Sequence, residues 1–143
     1  MNGMVPSQAM LGTFGEMWLD DQYMAEANKL RADVNISYDD VRQARKLMTG
    51  KKMTGLEGSG EVQLVKVSSF VMARISSLLK AGKTPSFKII SKLKDPDAIG
   101  AERVALYGCK FEKATLADWE HGNIGSESYS FTFEDWELLD TAL

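Results

Sequence analysis

Three sets of residues in this 143-residue chain have types and spacings from which chemistry could be built. Gly50, Gly55, Gly58 and Gly60 beside Lys51 and Lys52 offer backbone N–H groups and cations of the kind that cradle a phosphate. They fail that test, because Lys52 stands where a P-loop needs Ser or Thr, and a strand-type run rather than a helix follows Gly60. Cys109 and His121 could pair as nucleophile and base, but they have no orienting signature, and one Cys with one His is too small a donor set for zinc. The adjacent acids Asp20 and Asp21, Asp39 and Asp40, and Glu134 and Asp135 imitate catalytic pairs only in composition. Neighbours on a strand point to opposite faces, so these read as turn and strand-end solvation. The expectation is a protein that is not an enzyme and holds no cofactor or metal.

The elements that would carry these residues belong to one domain. With 44% hydrophobic and 26% charged residues, the chain can bury a genuine core. No apolar run reaches the roughly 18 to 20 residues that cross a bilayer, and residues 1–15 lack a signal-peptide pattern, so a soluble product of the cytoplasm without membrane anchoring is expected. A lone cysteine excludes an internal disulfide, and the strand-like run around Cys109 makes it a buried or half-buried thiol. Charge is partitioned along the chain: residues 1–41 carry −5, residues 42–94 carry +10, and residues 112–143 carry −7. A basic middle between acidic ends suits nucleic acid, or a copy's middle facing another copy's end. The stretch 45–60 has no aromatic residue for base stacking and the isoelectric point is about 5.2, which leaves a nucleic-acid-binding β-barrel module as the alternative reading.

Periodicity gives a mainly β chain of about seven strands, a sandwich or barrel, with one packed helix. Residues 1–13 form an N-terminal arm, disordered or held by a partner, because Gly3, Pro6 and Gly12 interrupt any pattern. Glu16–Leu19 and Gln22–Met24 flank a tight turn at Asp20 and Asp21. Leu30, Ala32, Val34, Ile36 and Tyr38 alternate with Arg31, Asp33, Asn35 and Ser37, which predicts a strand with one buried and one wet face. Strands are predicted at 61–67, 87–94, 102–111, 114–120 and 127–136, and a helix at 69–81 capped by Ser68 or Ser69 and stopped by Gly82. Between the strands ending at Tyr38 and beginning at Glu61 lies a long connection. Its glycines read as a loop, and Leu47, Met48, Met53 and Leu56 make it too apolar for a plain solvent linker. It is expected to be mobile until a partner orders it.

The early hairpin, the alternating strand, Met48-Thr49-Gly50-Lys51-Lys52-Met53-Thr54-Gly55 with Gly58-Ser59-Gly60, the helix, Glu102-Arg103-Val104-Ala105-Leu106-Tyr107 and Ser130-Phe131-Thr132-Phe133-Glu134-Asp135-Trp136 together form an ordered series. In that order the chain resembles the tail tube proteins of contractile phages, nearest to the branch found in Gram-positive defective prophages and phage-tail-like bacteriocins, over residues 14–138. The resemblance implies a single β domain over residues 14–143, of the phage tail tube and type VI inner-tube kind, with a long loop at 42–60. It implies a non-enzymatic subunit of hexameric rings that stack into a hollow tube inside a contractile sheath, with baseplate and tape-measure proteins as further partners. An inner tube of a type VI-like secretion system is the nearby alternative. The location implied is a virion or phage-tail-like particle, assembled in the host cytoplasm and released by lysis, with DNA only as transient cargo. The loop would contact the next ring through Leu47, Met48, Lys51, Lys52, Met53 and Leu56. Asp33, Asn35, Ser37, Glu61 and Gln63 are the candidates for the lumen lining, because a conduit for DNA should be hydrophilic without gripping phosphates.

Overall fold

Phe131 and Phe133, and Val62 and Leu64, alternate with polar neighbours along their strands, and burying these faces against Ile89 and Leu106 builds two antiparallel layers. The computed structural model describes residues 5–66 and 69–143. Its strands are β1 (Gly15–Leu19), β2 (Gln22–Tyr23), β3 (Ala27–Val41), β4 (Gly50–Val65), β5 (Phe87–Leu93), β6 (Glu102–Phe111), β7 (Ser126–Phe133) and β8 (Asp135–Asp140), with α1 (Phe70–Lys80) between β4 and β5. The order across the sheet is β2-β1-β5-β6-β7-β4-β3, with β8 added to β6. Strand β6 serves both layers: residues 102–107 pair with β5 and β8, whereas Lys110 and Phe111 pair with Thr132 and Phe131 of β7. Gly108, at φ 64°, supplies the left-handed residue between these two stretches.

The core joins Met17, Leu19, Phe87, Ile89, Leu106 and Cys109 of one layer to Val62, Leu64, Tyr129, Phe131 and Phe133 of the other. Helix α1 adds Val71 and Ile75. It ends in a Schellman turn, in which Gly82 N–H donates to Leu79 O at 3.0 Å and Lys83 N–H to Leu78 O at 3.0 Å, with Gly82 at φ 73°. At the other end Ser69 makes no side-chain cap bond, and Ser68 lies outside the described residues. Leu79, eight positions after Val71 and so near the same helix face, is exposed.

The predicted mainly β fold stands, with eight strands, and the Asp20–Asp21 turn has φ 49° and 69°, the paired positive values of a two-residue hairpin loop. Three boundaries differ. Residues 114–120 form no strand, since no sheet edge is offered to them and Leu116 and Trp119 stay exposed. The run 127–136 breaks at Glu134, whose N–H donates to Tyr107 O at 3.0 Å, and so becomes β7 and β8. The largest change is that residues 50–60 are not a loop but the first two thirds of β4, and the true connection is residues 42–49. In the arm, residues 6–8 and 12–14 make 3-10 turns, and Leu11 N–H is held by Asp95 Oδ2 at 3.1 Å; residues 1–4 are outside the described set.

Candidate functional site

Strands β3 and β4 pair along their length, from Ala27↔Leu64 to Val41↔Gly50. The next strand, β7, covers β4 only from Gly58 to Val65. Residues 50–57 of β4 and their partners on β3 therefore stand beyond the sandwich as a free two-stranded ribbon, about 27 Å long at 3.4 Å per residue. An extra residue, Thr54, bulges out of the ladder between Ser37↔Gly55 and Tyr38↔Met53, and its hydroxyl donates to Ser37 O at 3.3 Å.

Residues directly opposite each other share a face, so this register sorts the ribbon into two unlike sides. One side continues the core. It carries Val34 beside Gly58, Ile36 beside Leu56 and Tyr38 beside Met53, and ends at Asp40, which forms an ion pair with Lys51. Ile36, Tyr38, Met53 and Leu56 are each about half exposed, because no strand or helix among the described residues lies over them. A cleft of about 280 Å³ runs from Val34 and Leu56 to Phe133, Glu134 and Trp136, where the two layers splay apart.

The opposite side is polar from Lys29 to Asp39, with Val41 at its tip end. Arg31 sits between Asp33 at 3.6 Å and Glu61 at 4.0 Å, and Asn35 Nδ2 donates to Ser59 Oγ at 3.3 Å. Register adds Lys29 beside Gln63, Glu57 beside Asn35, and Asp39 beside Lys52. Ser128, Ser130 and Thr132 of β7 extend the same surface beside Gln63, Glu61 and Ser59. On β3 and β4 the three cations of this side, Lys29, Arg31 and Lys52, face four acids, Asp33, Asp39, Glu57 and Glu61.

Two glycines position the ribbon on the body. Gly58 and Gly60 lie opposite Phe133 and Phe131. A Cβ at Gly58 would sit 2.5 Å from the Phe133 ring; one at Gly60 would sit 2.5 Å from the Phe131 ring and closer still to the Arg31 carbonyl oxygen. The missing side chains leave room for both rings to lie across β4. What looked like loop flexibility is close packing.

The five residues expected to share a wet face, Asp33, Asn35, Ser37, Glu61 and Gln63, do fall on one surface. The six expected at one contact are distributed over the ribbon: Leu47 and Met48 sit at the tip, Lys51, Met53 and Leu56 on the apolar side, and Lys52 on the polar side. Ile36 and Tyr38, read as buried from their alternation, are exposed and complete the apolar strip; the missed signal was that alternation resumes in β4 on the far side of the Thr54 bulge. Cys109 is fully buried, and burial pushes its thiol from the ordinary 9.0 up to about 12. His121 meets Trp119 edge to face in an exposed turn, so the buried thiol and the exposed imidazole do not form a reactive pair. Among the described residues, no three His, Cys, Asp or Glu side chains gather where a metal could sit.

Comparison with known proteins adds four findings. The family model described as phage tail tube protein matches residues 2–140. The phage-like element PBSX protein XkdM of Bacillus subtilis (strain 168) is 32% identical over 129 residues, covering 89% of this chain and 88% of that protein. Among solved structures, the fold is similar to a chain of the sheath-tube complex of an extracellular contractile injection system in its extended state, with a TM-score of 0.74 at 8% identity over 93% of both chains. A Bacillus subtilis protein of solved structure is 31% identical, with a TM-score of 0.54, over 88% of this chain and 92% of that one.

Proposed function

The chain belongs to the phage tail tube protein family, and from that premise we propose that it is the inner-tube subunit of a contractile tail, forming hexameric rings that stack into a hollow conduit. One observation carries the reading: the β3–β4 ribbon leaves the sandwich with one polar side and one uncovered apolar side. An isolated monomer gains nothing by holding Ile36, Tyr38, Met53 and Leu56 in water, whereas neighbouring subunits can bury them. With the apolar side turned to a neighbour, the opposite side is left for a channel.

That polar side suits a channel wall. Arg31 is neutralised by Asp33 and Glu61, and acids outnumber cations, so a passing polyanion meets no row of free positive charge. Asp33, Asn35, Ser37, Glu61 and Gln63 are therefore the proposed lining. The free outer edge of β3 offers unpaired backbone groups for the next subunit in the ring. The likeness to a chain of a sheath-tube complex supports a contractile sheath as outer partner, and baseplate and tape-measure proteins at the ends complete the proposed set. The subunit would assemble in the host cell and leave it by lysis within a tail or phage-tail-like particle, a structural part without catalysis. Negative-stain electron microscopy of concentrated protein, and of particles from producing cells, tests this. Rings or hollow tubes with sixfold symmetry are expected; a strict monomer in both preparations that binds DNA tightly would refute it.

A further inference from the structure

The connection 42–49 holds Arg42, Arg45 and Lys46 and no acid, together with Leu47, fully exposed, and Met48, 86% exposed. None of the three cations forms an ion pair among the described residues. Residues 116–124 are the converse. They hold Asp118 and Glu120 and no Lys or Arg, with Leu116, Trp119 and Ile124 exposed, the last two at 74% and 86%. Each is an apolar surface carrying charge of one sign and lacking a counterpart of its own.

The two patches lie at opposite ends of β4. The cationic patch continues from Gly50, the first residue of that strand. The acidic patch lies beside the last residues, since Glu112 N–H donates to Ser130 O at 3.0 Å, Ser130 pairs with Glu61, and Lys66 N–H donates to Gly125 O at 2.8 Å. Fifteen strand steps separate Gly50 from Val65, about 50 Å at 3.3 Å each. The patches of one chain therefore cannot meet, and a contact between unlike surfaces at opposite ends of a molecule repeats without closing.

We propose that the tip 42–49 of one copy docks on residues 116–124 of a second copy in the adjacent ring, with Leu47 and Met48 against Trp119 and its apolar neighbours and Arg45 and Lys46 toward Asp118 and Glu120. This deepens the inner-tube reading and rests on it, since that reading supplies the stacked rings but not the surface that receives the hairpin. Opposite charge fixes which ends meet, and the apolar residues supply the buried area.

Thiol cross-linking in assembled tubes tests the contact. Thr49→Cys and Ala117→Cys place one thiol at each patch while leaving the contact residues in place, and buried Cys109 gives no background. Treated with a short flexible bis-maleimide, tubes of the double variant should give a ladder of covalent dimers, trimers and higher species, and tubes of either single variant should stay monomeric on a denaturing gel. Dimers from Thr49→Cys alone would mean that tips meet tips, and monomers only from double-variant tubes would mean that the tip docks elsewhere; either overturns this contact while the tube reading stands. If wild-type protein forms no tubes at all, the tube reading fails and the contact falls with it. A charge exchange gives an independent check. Arg45→Glu with Lys46→Glu, and separately Asp118→Lys with Glu120→Lys, should each raise the critical concentration for assembly about tenfold. Combining all four should restore it, and absence of restoration in a variant with a normal melting curve overturns the pairing.

Discussion

Substituting alanine along the glycines of β4 should separate a packed strand from a flexible one. At Gly60 the new methyl would collide with the Phe131 ring and with the backbone oxygen of Arg31. The ring can tilt only within a fully buried cluster, and the carbonyl is fixed by the β3–β4 ladder. Overpacking of this kind costs about 1 to 3 kcal/mol, and the strand propensity regained over glycine returns about 0.5 to 1. A clash involving backbone belongs at the upper end, so a net loss of about 2 kcal/mol is expected. At Gly58 the obstacle is the Phe133 ring alone, beside an open cleft, and about 1 kcal/mol should suffice. At Gly55 the nearest atom is Ser37 Cβ at 3.9 Å, and alanine should be neutral or stabilise by about 0.5 kcal/mol. Urea titration of monomer followed by circular dichroism reads all three. With a slope near 2 kcal/mol/M, Gly60→Ala should lower the midpoint by about 1 M. Equal midpoints for Gly60→Ala and Gly55→Ala would refute the packing argument and return residues 50–60 to a loop.

Three further outcomes follow from the ribbon and the core. Met53→Asp or Leu56→Asp should abolish tubes in electron micrographs while leaving monomer melting within about 0.5 kcal/mol, because both side chains lie off the core; Lys51→Ser with Lys52→Ser should weaken assembly mildly and mainly at low salt. Amide exchange measured by mass spectrometry should be faster at 50–57, paired on one side only, than at 58–65, and should slow in tubes; equal protection in monomer and tube would mean the ribbon is covered by its own chain. Native Cys109 should resist maleimide at pH 8 and react at the rate of unfolding. Its folded pKa is raised, so the stability it confers is complete below the ordinary value of 9.0 and is lost as pH rises toward about 12; the fall in melting temperature above pH 9 should be shallower in Cys109→Ala.

Alternation alone located β1, β3, β5 and β6 within a few residues, because much of each apolar face points into one core and enough of the period of two survives to show it. It failed on β4 for a physical reason. Gly50, Gly55, Gly58 and Gly60 carry no side chain to show a face, and the bulge at Thr54 breaks the period, so the strand had the composition of a loop. The reverse error occurred at 114–120, where a strand-like composition has no edge to pair with. The polar surface was legible, since Asp33, Asn35, Ser37, Glu61 and Gln63 keep step in two strands. The uncovered apolar strip was not, because a sequence shows that Ile36 and Tyr38 share a side with Val34 but not that β7 stops covering it at Gly58.

The bulge at Thr54 also sets a rule of parity. On the body side of it, the β4 residues that face the core are even-numbered, from Leu64 to Leu56; on the tip side they are odd, Met53 and Lys51, while β3 stays even from Leu30 to Asp40. The hairpin is thus a ruler graduated in pairs. Two residues added to each strand on the tip side would carry Leu47 and Met48 about 7 Å further out with every side unchanged. A single residue added to one strand on the tip side would turn the residues beyond it to the opposite side, whereas loss of Thr54 would close the bulge with Met53 still beside Tyr38. Reach can therefore change only in steps of about 7 Å, and a tube built on this ribbon inherits a spacing that varies by whole increments.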